Sequence, residues 1–238
     1  MRCVTYNLNG LDDTDVDVRT EYAILSLLVG EPLQDVLLGL RDPDPAPDVI
    51  CLQEVTARTF HAHVRPHLVG AGYTLFPAEP REREHFEVIA SRIPMREQRV
   101  DPLIGSLFGR EFVAVQLDSG VWVHTAHMDS LKDGKHARQR QLREIFYDLN
   151  QRSPSLFLGD TNLRDSEVPD VLPNGIVDAW EAAGSPAWAK NTWAGKMRFD
   201  RAYASGLTVQ SVKVTGRKPM DSTGSPASDH AALWVTTT

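Results

Sequence analysis

Short runs of β-branched and aromatic residues recur along this chain, and most of them stop at a polar cluster. Residues 2–6, 48–53, 73–76, 86–91, 110–117, 120–125, 155–158, 198–204, 207–215 and 231–236 read as strands, with turn residues between most of them. Helical patterns fall at about 19–29, 32–40, 56–69 and 135–150. The last of these aligns Leu142, Ile145, Phe146 and Leu149 in one stripe. It leaves His136, Arg138, Arg140 and Arg143 mostly off that stripe, which predicts a solvated basic face. Strands dominate and helices are interspersed, so the expectation is an α/β chain of sheets packed together with helices outside. "RDPDPAPDV" (41–49) reads as a proline-stiffened connection. "GRKPMDSTGSPASDH" (216–230) is a polar loop of a length that is usually functional or disordered. No repeat or linker divides the chain, and residues 1–238 are expected to form one domain.

A chain of 238 residues with 42% hydrophobic content can bury a sizeable core without disulfides or structural metals. No apolar run reaches the length of a membrane span, and "MRCVTYNLNG" reads as a strand rather than a leader. The expectation is therefore a soluble intracellular protein, cytoplasmic in a bacterium or nuclear in a eukaryote. Cys3 and Cys51 lie inside strand-like runs and are read as buried free thiols. The formal net charge of −7 argues against a nucleic-acid coat protein. It leaves room for an enzyme that holds a few phosphates through a metal ion and some arginines.

The residues that carry chemistry cluster where the runs end. The first strand ends in Asn7-Leu8-Asn9, and "DVICLQEV" delivers Gln53 and Glu54. "VWVHTAHMDS" delivers His127, Asp129 and Ser130; "SLFLGDTNLRDSE" delivers Asp160, Asn162, Arg164 and Asp165. "MRFDRAY" carries Arg198, Asp200 and Arg201, and "SPASDHAALWV" sets Asp229 and His230 before the last strand. Sheets build sites this way because rigid strands aim side chains and loops supply variety. A Glu with several Asp and Asn oxygens suits a hard divalent cation, Mg²⁺ or alternatively Mn²⁺. A His beside an Asp, with another Asp upstream, gives an imidazole that is oriented and kept protonated. There is no phosphate-binding P-loop and no G-x-S-x-G nucleophile elbow. Metal, water-activating carboxylate and cationic His together point to hydrolysis of a phosphate ester.

"TYNLNG", "LQEV", "GDTN", "RFDR" and "SDH", in that order, resemble the endonuclease/exonuclease/phosphatase superfamily. "GDTNLRDSEV", "LPNGIVDAWEAAGSP", "NTW" and "RFDRAY" look more specifically like the 5′-tyrosyl-DNA phosphodiesterases, over almost the whole chain. The resemblance implies a DNase I-like fold, a four-layer α/β/β/α sandwich of two mixed, mostly antiparallel sheets. It also implies a metal-dependent phosphodiesterase that frees a topoisomerase tyrosine from a DNA 5′ phosphate, acting as a monomer on single-stranded or frayed ends. By the same likeness Glu54 is the direct metal ligand, and Asp160 orients and deprotonates water. Asn162 and Asn7 bind the phosphate or the water network. His230, supported by Asp200, contacts a non-bridging phosphate oxygen, with His127 as a second imidazole on the phosphate. Asp229 helps the metal or the His. Ser130, Lys132, Arg164, Trp193 and Arg198 are expected to contact the substrate, Trp193 by packing on a nucleotide.

Several positions depart from that pattern. Asn9 stands where many relatives carry an acid near the metal, and Lys132 stands where the nearer relatives tend to carry Arg, losing the bidentate fork. His85 in "EREHFEVIASR" is the stand-in for a tyrosine on the equivalent strand, and the stretch around 30–47 has no counterpart. The same chemistry also fits an abasic-site or non-specific nuclease, or a phosphatase of phosphoinositides or sphingolipids. An inactive binding scaffold would be expected to show broken motifs, yet Glu54, Asp160, Asn162, Asp200 and His230 are all in place. "HAHVRPHL" spaces His63 and His67 i,i+4, but the sequence offers no third ligand, so the pair reads as a solvated helix face. "DDTDVD" (12–17) lacks the Gly and Glu of a calcium loop.

Overall fold

A computed structural model describes residues 1–238. Its elements in chain order are β1 (Arg2–Asn7), α1 (Val16–Val29), α2 (Leu33–Leu37), β2 (Val49–Val55) and α3 (Ala57–Thr59), which runs through a π-helical segment (Phe60–Val64) into α4 (Arg65–Gly70). Next come β3 (Thr74–Phe76), β4 (Phe86–Ser91), β5 (Met95–Pro102), β6 (Glu111–Leu117), β7 (Trp122–Ala126), α5 (Lys135–Gln151) and β8 (Ser155–Asp160). The chain ends with β9 (Ile176–Asp178), α6 (Ala179–Ala182), β10 (Asp200–Ser205), β11 (Val209–Thr215) and β12 (Ala232–Thr237).

The strands form two six-stranded sheets, ordered β11-β12-β1-β2-β4-β3 and β5-β6-β7-β8-β10-β9. Only β1–β2 and β7–β8 pair in parallel; the other neighbours are antiparallel. Strand side chains alternate between faces, and here both faces of the central strands are buried. On β1, Cys3 points into the core between the sheets, while Val4 and Tyr6 meet the helices α1 and α4. On β8, Leu156 and Leu158 enter the same inter-sheet core, while Phe157 packs on the α5 stripe of Leu142, Ile145, Phe146 and Leu149. Each fully buried Leu or Ile contributes roughly 1.5–3 kcal/mol. Two outer cores and one central core give the four-layer α/β/β/α sandwich. Both cysteines are free and buried in it.

Three sequence expectations need correction. β5, with its polar stretch Arg96-Glu97-Gln98-Arg99, shows no alternation because it is a half-exposed edge strand, and β9 is too short to show a period. The helix expected over 32–40 is only Leu33–Leu37, with Leu37, Leu38 and Leu40 exposed. Arg138 is not on a solvated face. It is fully buried, forms a bidentate pair with Glu167 at 2.8 Å through both nitrogens, and donates to the carbonyls of Asp129, Ser130 and Leu131. No helix is long and apolar enough to cross a membrane.

Along the seam between the sheets, composition changes from apolar to polar. Past Cys3 and Cys51, Thr5 Oγ1 donates to Gln53 Oε1 (3.1 Å) and Gln53 Nε2 donates to Thr125 Oγ1 (2.8 Å), linking the two sheets. The next inward positions on β1, β7 and β8 are Asn7, His127 and Asp160, and β10 brings Asp200 directly opposite Asp160. Strand parity alone therefore gathers these residues at one end of the seam.

Candidate active site

Asn7 is the hub of this end. It is fully buried, and its Nδ2 donates to Glu54 Oε1 (3.1 Å) and Asp160 Oδ2 (2.9 Å), while its Oδ1 accepts from the Asn9 N–H (2.9 Å). The Asn7 carbonyl accepts from Ser228 Oγ (2.7 Å), which also accepts from the His230 N–H (3.1 Å). The "SDH" loop is thereby locked to the end of β1. Glu54 lies within the break in the β2–β4 register between Leu52 and Val55, and its backbone is left-handed at φ 54°. Asn9 (φ 50°) and Asn162 (φ 51°) share that unfavourable conformation, and such strain collects where geometry serves function. Gly10 is required here, since a Cβ would stand 2.1 Å from the Glu54 carbonyl oxygen.

Asp160 is 1% exposed, and its Oδ1 accepts from the Asn162 N–H at 3.0 Å. Its Oδ2 lies 3.4 Å from His127 Nε2 and 3.6 Å from His230 Nε2. Burial raises the Asp160 pKa and so does neighbouring Asp200, while His230 pulls it down; the net direction is upward. The two imidazoles differ in charge. Burial works against a charged His230, but Asp200, bonded to Nδ1 at 2.8 Å, and Asp160 together hold its pKa above the ordinary imidazole range. His127 goes the other way: burial, then Arg110, His85 and His230, push it well below. Arg110 Nη1 stands 3.2 Å from His127 Nδ1 and 2.6 Å from His85 Nε2. A guanidinium only donates, so both of those ring nitrogens accept, which assigns the His127 proton to Nε2, facing Asp160. His85 is likewise neutral, lowered to about 4 by burial and Arg110.

The residues fit a hard divalent cation. Glu54 Oε2 and Asn162 Oδ1 accept from no protein donor, Asp200 Oδ1 is buried without a partner, and the Asp160 and Asp200 carboxylates come within 4.8 Å of each other. The three carboxylates face one imidazolium, leaving negative charge for a cation to offset.

The outer residues divide. Arg164, donating to the Asn162 carbonyl, lies 5.5 Å from the Phe199 ring, whose other neighbour is Trp193 at 5.3 Å; the three form a stack beside the cluster. Trp193 Nε1 donates to Asp229 Oδ2 (2.8 Å), so exposed Asp229 holds the indole. Ser130 is half-buried and Lys132 exposed, on the turn before α5. Asn9 turns its carbonyl to buried Arg19 and lines a hollow with Asp12, Asp15 and Asp229. Arg198 is elsewhere: it is buried, pairs with Asp178 and lies over Trp180, so it belongs to the packing of β9 and α6. Sequence reasoning missed Arg110, Phe199 and Glu87. Arg110 sits alone before an apolar strand and Phe199 hides inside "RFDR", so neither carries a pattern. Glu87 is 1% exposed, neither of its carboxyl oxygens has a partner, and burial pushes its pKa up to about 8.

The sequence pattern of the Endonuclease/Exonuclease/phosphatase family matches residues 4–230. This chain belongs to that family. Within it, tyrosyl-DNA phosphodiesterase 2 of Xenopus tropicalis is 27% identical over 259 residues, covering 97% of this chain and 64% of that protein. The Bos taurus protein of the same name is 30% identical over 262 residues, covering 98% and 66%. The chain thus spans just under two thirds of the length of these relatives. Among solved structures, TDP2 from C. elegans superposes with a TM-score of 0.81 at 25% identity, covering 99% of this chain and 74% of that one. A D. rerio TDP2 complexed with single strand DNA product shares the fold at 24% identity and a TM-score of 0.83, covering 100% and 98%. Members of the family depend on a divalent cation, in keeping with the oxygen donors gathered at the seam.

Proposed function

We propose that this chain is a Mg²⁺-dependent phosphodiesterase that hydrolyses the bond between a tyrosine and a DNA 5′ phosphate, leaving the phosphate on the DNA. The observation that carries the reading is Asp160, a buried carboxylate within 3.6 Å of one imidazolium and one neutral imidazole. Likeness over nearly the whole chain to tyrosyl-DNA phosphodiesterase 2 supports the substrate.

Asp160 accepts the proton of a water oriented with Asn7 and Asn162, and the water oxygen attacks phosphorus. His230, fixed by Asp200, and His127, whose Nε2–H also faces Asp160, would donate to the non-bridging oxygens, where negative charge grows. Arg110 holds His127 in the donating tautomer. The P–O bond to tyrosine breaks with its electron pair on the phenolate, whose conjugate acid has a pKa near 10, so departure makes a modest demand for protonation. Glu54 would hold the cation, with Asn162 and Asp200 contributing oxygens; when bound, it supplies Lewis-acid stabilisation of phosphoryl charge. Mn²⁺ would fit the same oxygens. Trp193, Phe199 and Arg164 would pack against the nucleotides, with Ser130 and Lys132 along the backbone, which suits a single-stranded or frayed end. Residues 1–238 act as one monomeric catalytic unit where DNA is, in the bacterial cytoplasm or the nucleus.

The test is release of tyrosine from a single-stranded oligonucleotide bearing a 5′-phosphotyrosine, with and without Mg²⁺. Cation-dependent release leaving a 5′ phosphate is the expected result. Nicking of plain or abasic DNA, or dephosphorylation without tyrosine release, would overturn the substrate and keep the chemistry.

A further inference from the structure

The histidines of "HAHVRPHL" play no part in the site at the seam. The sequence offered His63 and His67 no third ligand; the fold supplies one. α1 packs across the continuous helix of residues 57–70 and presents Asp17 and Glu21, themselves four residues apart, to the two rings. His63 Nε2 stands 3.2 Å from Asp17 Oδ1, and His67 Nε2 stands 3.3 Å from Glu21 Oε1. The imidazoles are stacked, 12° from parallel, with centroids 6.4 Å apart. One donor atom each from Glu21, His63 and His67 falls within 4.8 Å of the other two.

We propose that Glu21, His63 and His67, with Asp17 as fourth donor, form a second cation site, for a borderline transition metal of the Zn²⁺ class. Two chelating i,i+4 pairs, one of imidazoles and one of carboxylates, face each other across a helix–helix contact. Imidazole nitrogen selects Zn²⁺, Co²⁺ or Cu²⁺ over Mg²⁺, which prefers oxygen and retains its waters. Zinc bonds of about 2.0–2.2 Å to nitrogen and oxygen place tetrahedral donors closer together than the present spacing. Asp17 stands outside that 4.8 Å group, so loading would draw in Asp17 together with the Glu21 and His67 side chains, which are 49% and 28% exposed. Arg58 occupies the second oxygen of Asp17 and leaves Oδ1 toward His63. The π-helical segment that carries His63 is itself a feature that recurs at functional sites. A bound cation would pin α1 to α4. α1 also carries Arg19, which holds the carbonyls of Asn9, Asp12 and Ala227 beside the seam.

The experiment is calorimetric titration of Zn²⁺ into the full chain with Mg²⁺ in excess, so that the hard-oxygen site is filled, alongside visible spectra with Co²⁺. Wild type should take up one Zn²⁺ per chain and show Co²⁺ ligand-field bands. His63→Ala and His67→Ala should each weaken uptake at least about tenfold and lose the bands, with activity in Mg²⁺ retained. Absence of uptake by wild type at sub-millimolar metal overturns the proposal. Uptake undiminished in both variants overturns it equally, since the metal would then sit elsewhere.

Discussion

The two imidazoles around Asp160 are set to opposite tasks by their second partners, and this can be tested one atom at a time. In Asp200→Asn, His230 keeps a hydrogen-bonding neighbour at Nδ1 but loses the carboxylate that holds its proton. Its folded pKa falls, so the imidazolium is lost as pH rises through that lower value. The kcat/KM profile should lose activity on its alkaline side at a lower pH than wild type, with about a tenfold or greater drop at pH 8. A profile that merely scales down would deny His230 its charge. Glu87 makes a different prediction. Its pKa rises from 4.5 to about 8 in the folded protein, so the folded state holds a proton that the unfolded chain has released. Between those pH values wild-type stability therefore falls as pH rises. Glu87→Gln removes the effect, and its stability advantage in urea melts should grow by at least about 1 kcal/mol from pH 5 to pH 8. Residues of the first kind were legible in the sequence because short motifs such as "SDH" and "GDTN" stand where apolar runs stop. Glu87 was not, because a single acid in "FEVIAS" looks like an outward-facing position until the second sheet covers it.

Elements that carry none of the proposed catalytic groups still decide where those groups stand. Arg138 of α5 draws the carbonyls of residues 129–131 and the carboxylate of Glu167 together, tying the turn with Ser130 to the segment after Arg164. Arg138→Ala would leave buried Glu167 without its guanidinium, keeping only the Arg164 N–H, and unfolding in denaturant should report a loss of about 3–5 kcal/mol. A loss below about 1 kcal/mol would mean that Glu167 swings out to water. Sequence periodicity found α5, β1, β8 and β12 because each faces an apolar layer. It missed β5, whose outer side is water, and misread Arg138, because a charge off the apolar stripe reads as solvated unless its buried partner, 29 residues away, is known.

At the scale of the molecule, the net charge is −7, and the cations proposed to meet DNA are Arg164 beside the cluster and Lys132, exposed on the turn before α5. Neutralising about two phosphates of a single strand predicts a log–log dependence of KM on salt with a slope of about 1–2. A slope above about 4 would reveal a broader basic track along the strand. The sheet-on-sheet arrangement was expected from the count of strands over helices, while its specific layers rested on family likeness. The seam itself was beyond sequence reading, since it depends on which parity of each strand faces inward.

That seam also has a history in time. The first sheet takes β1 from one end of the chain and β11 and β12 from the other, and Ser228 reaches the carbonyl of Asn7 across 221 positions. A ribosome-bound chain that already contains Asn7, Glu54, Asp160 and Asp200 still lacks the histidine that completes them. Long-range closure of this kind comes late in folding. The cluster is therefore incomplete during synthesis and closes only when β12 docks, so a chain terminated anywhere before residue 230 is expected to lack the proposed phosphodiesterase activity altogether.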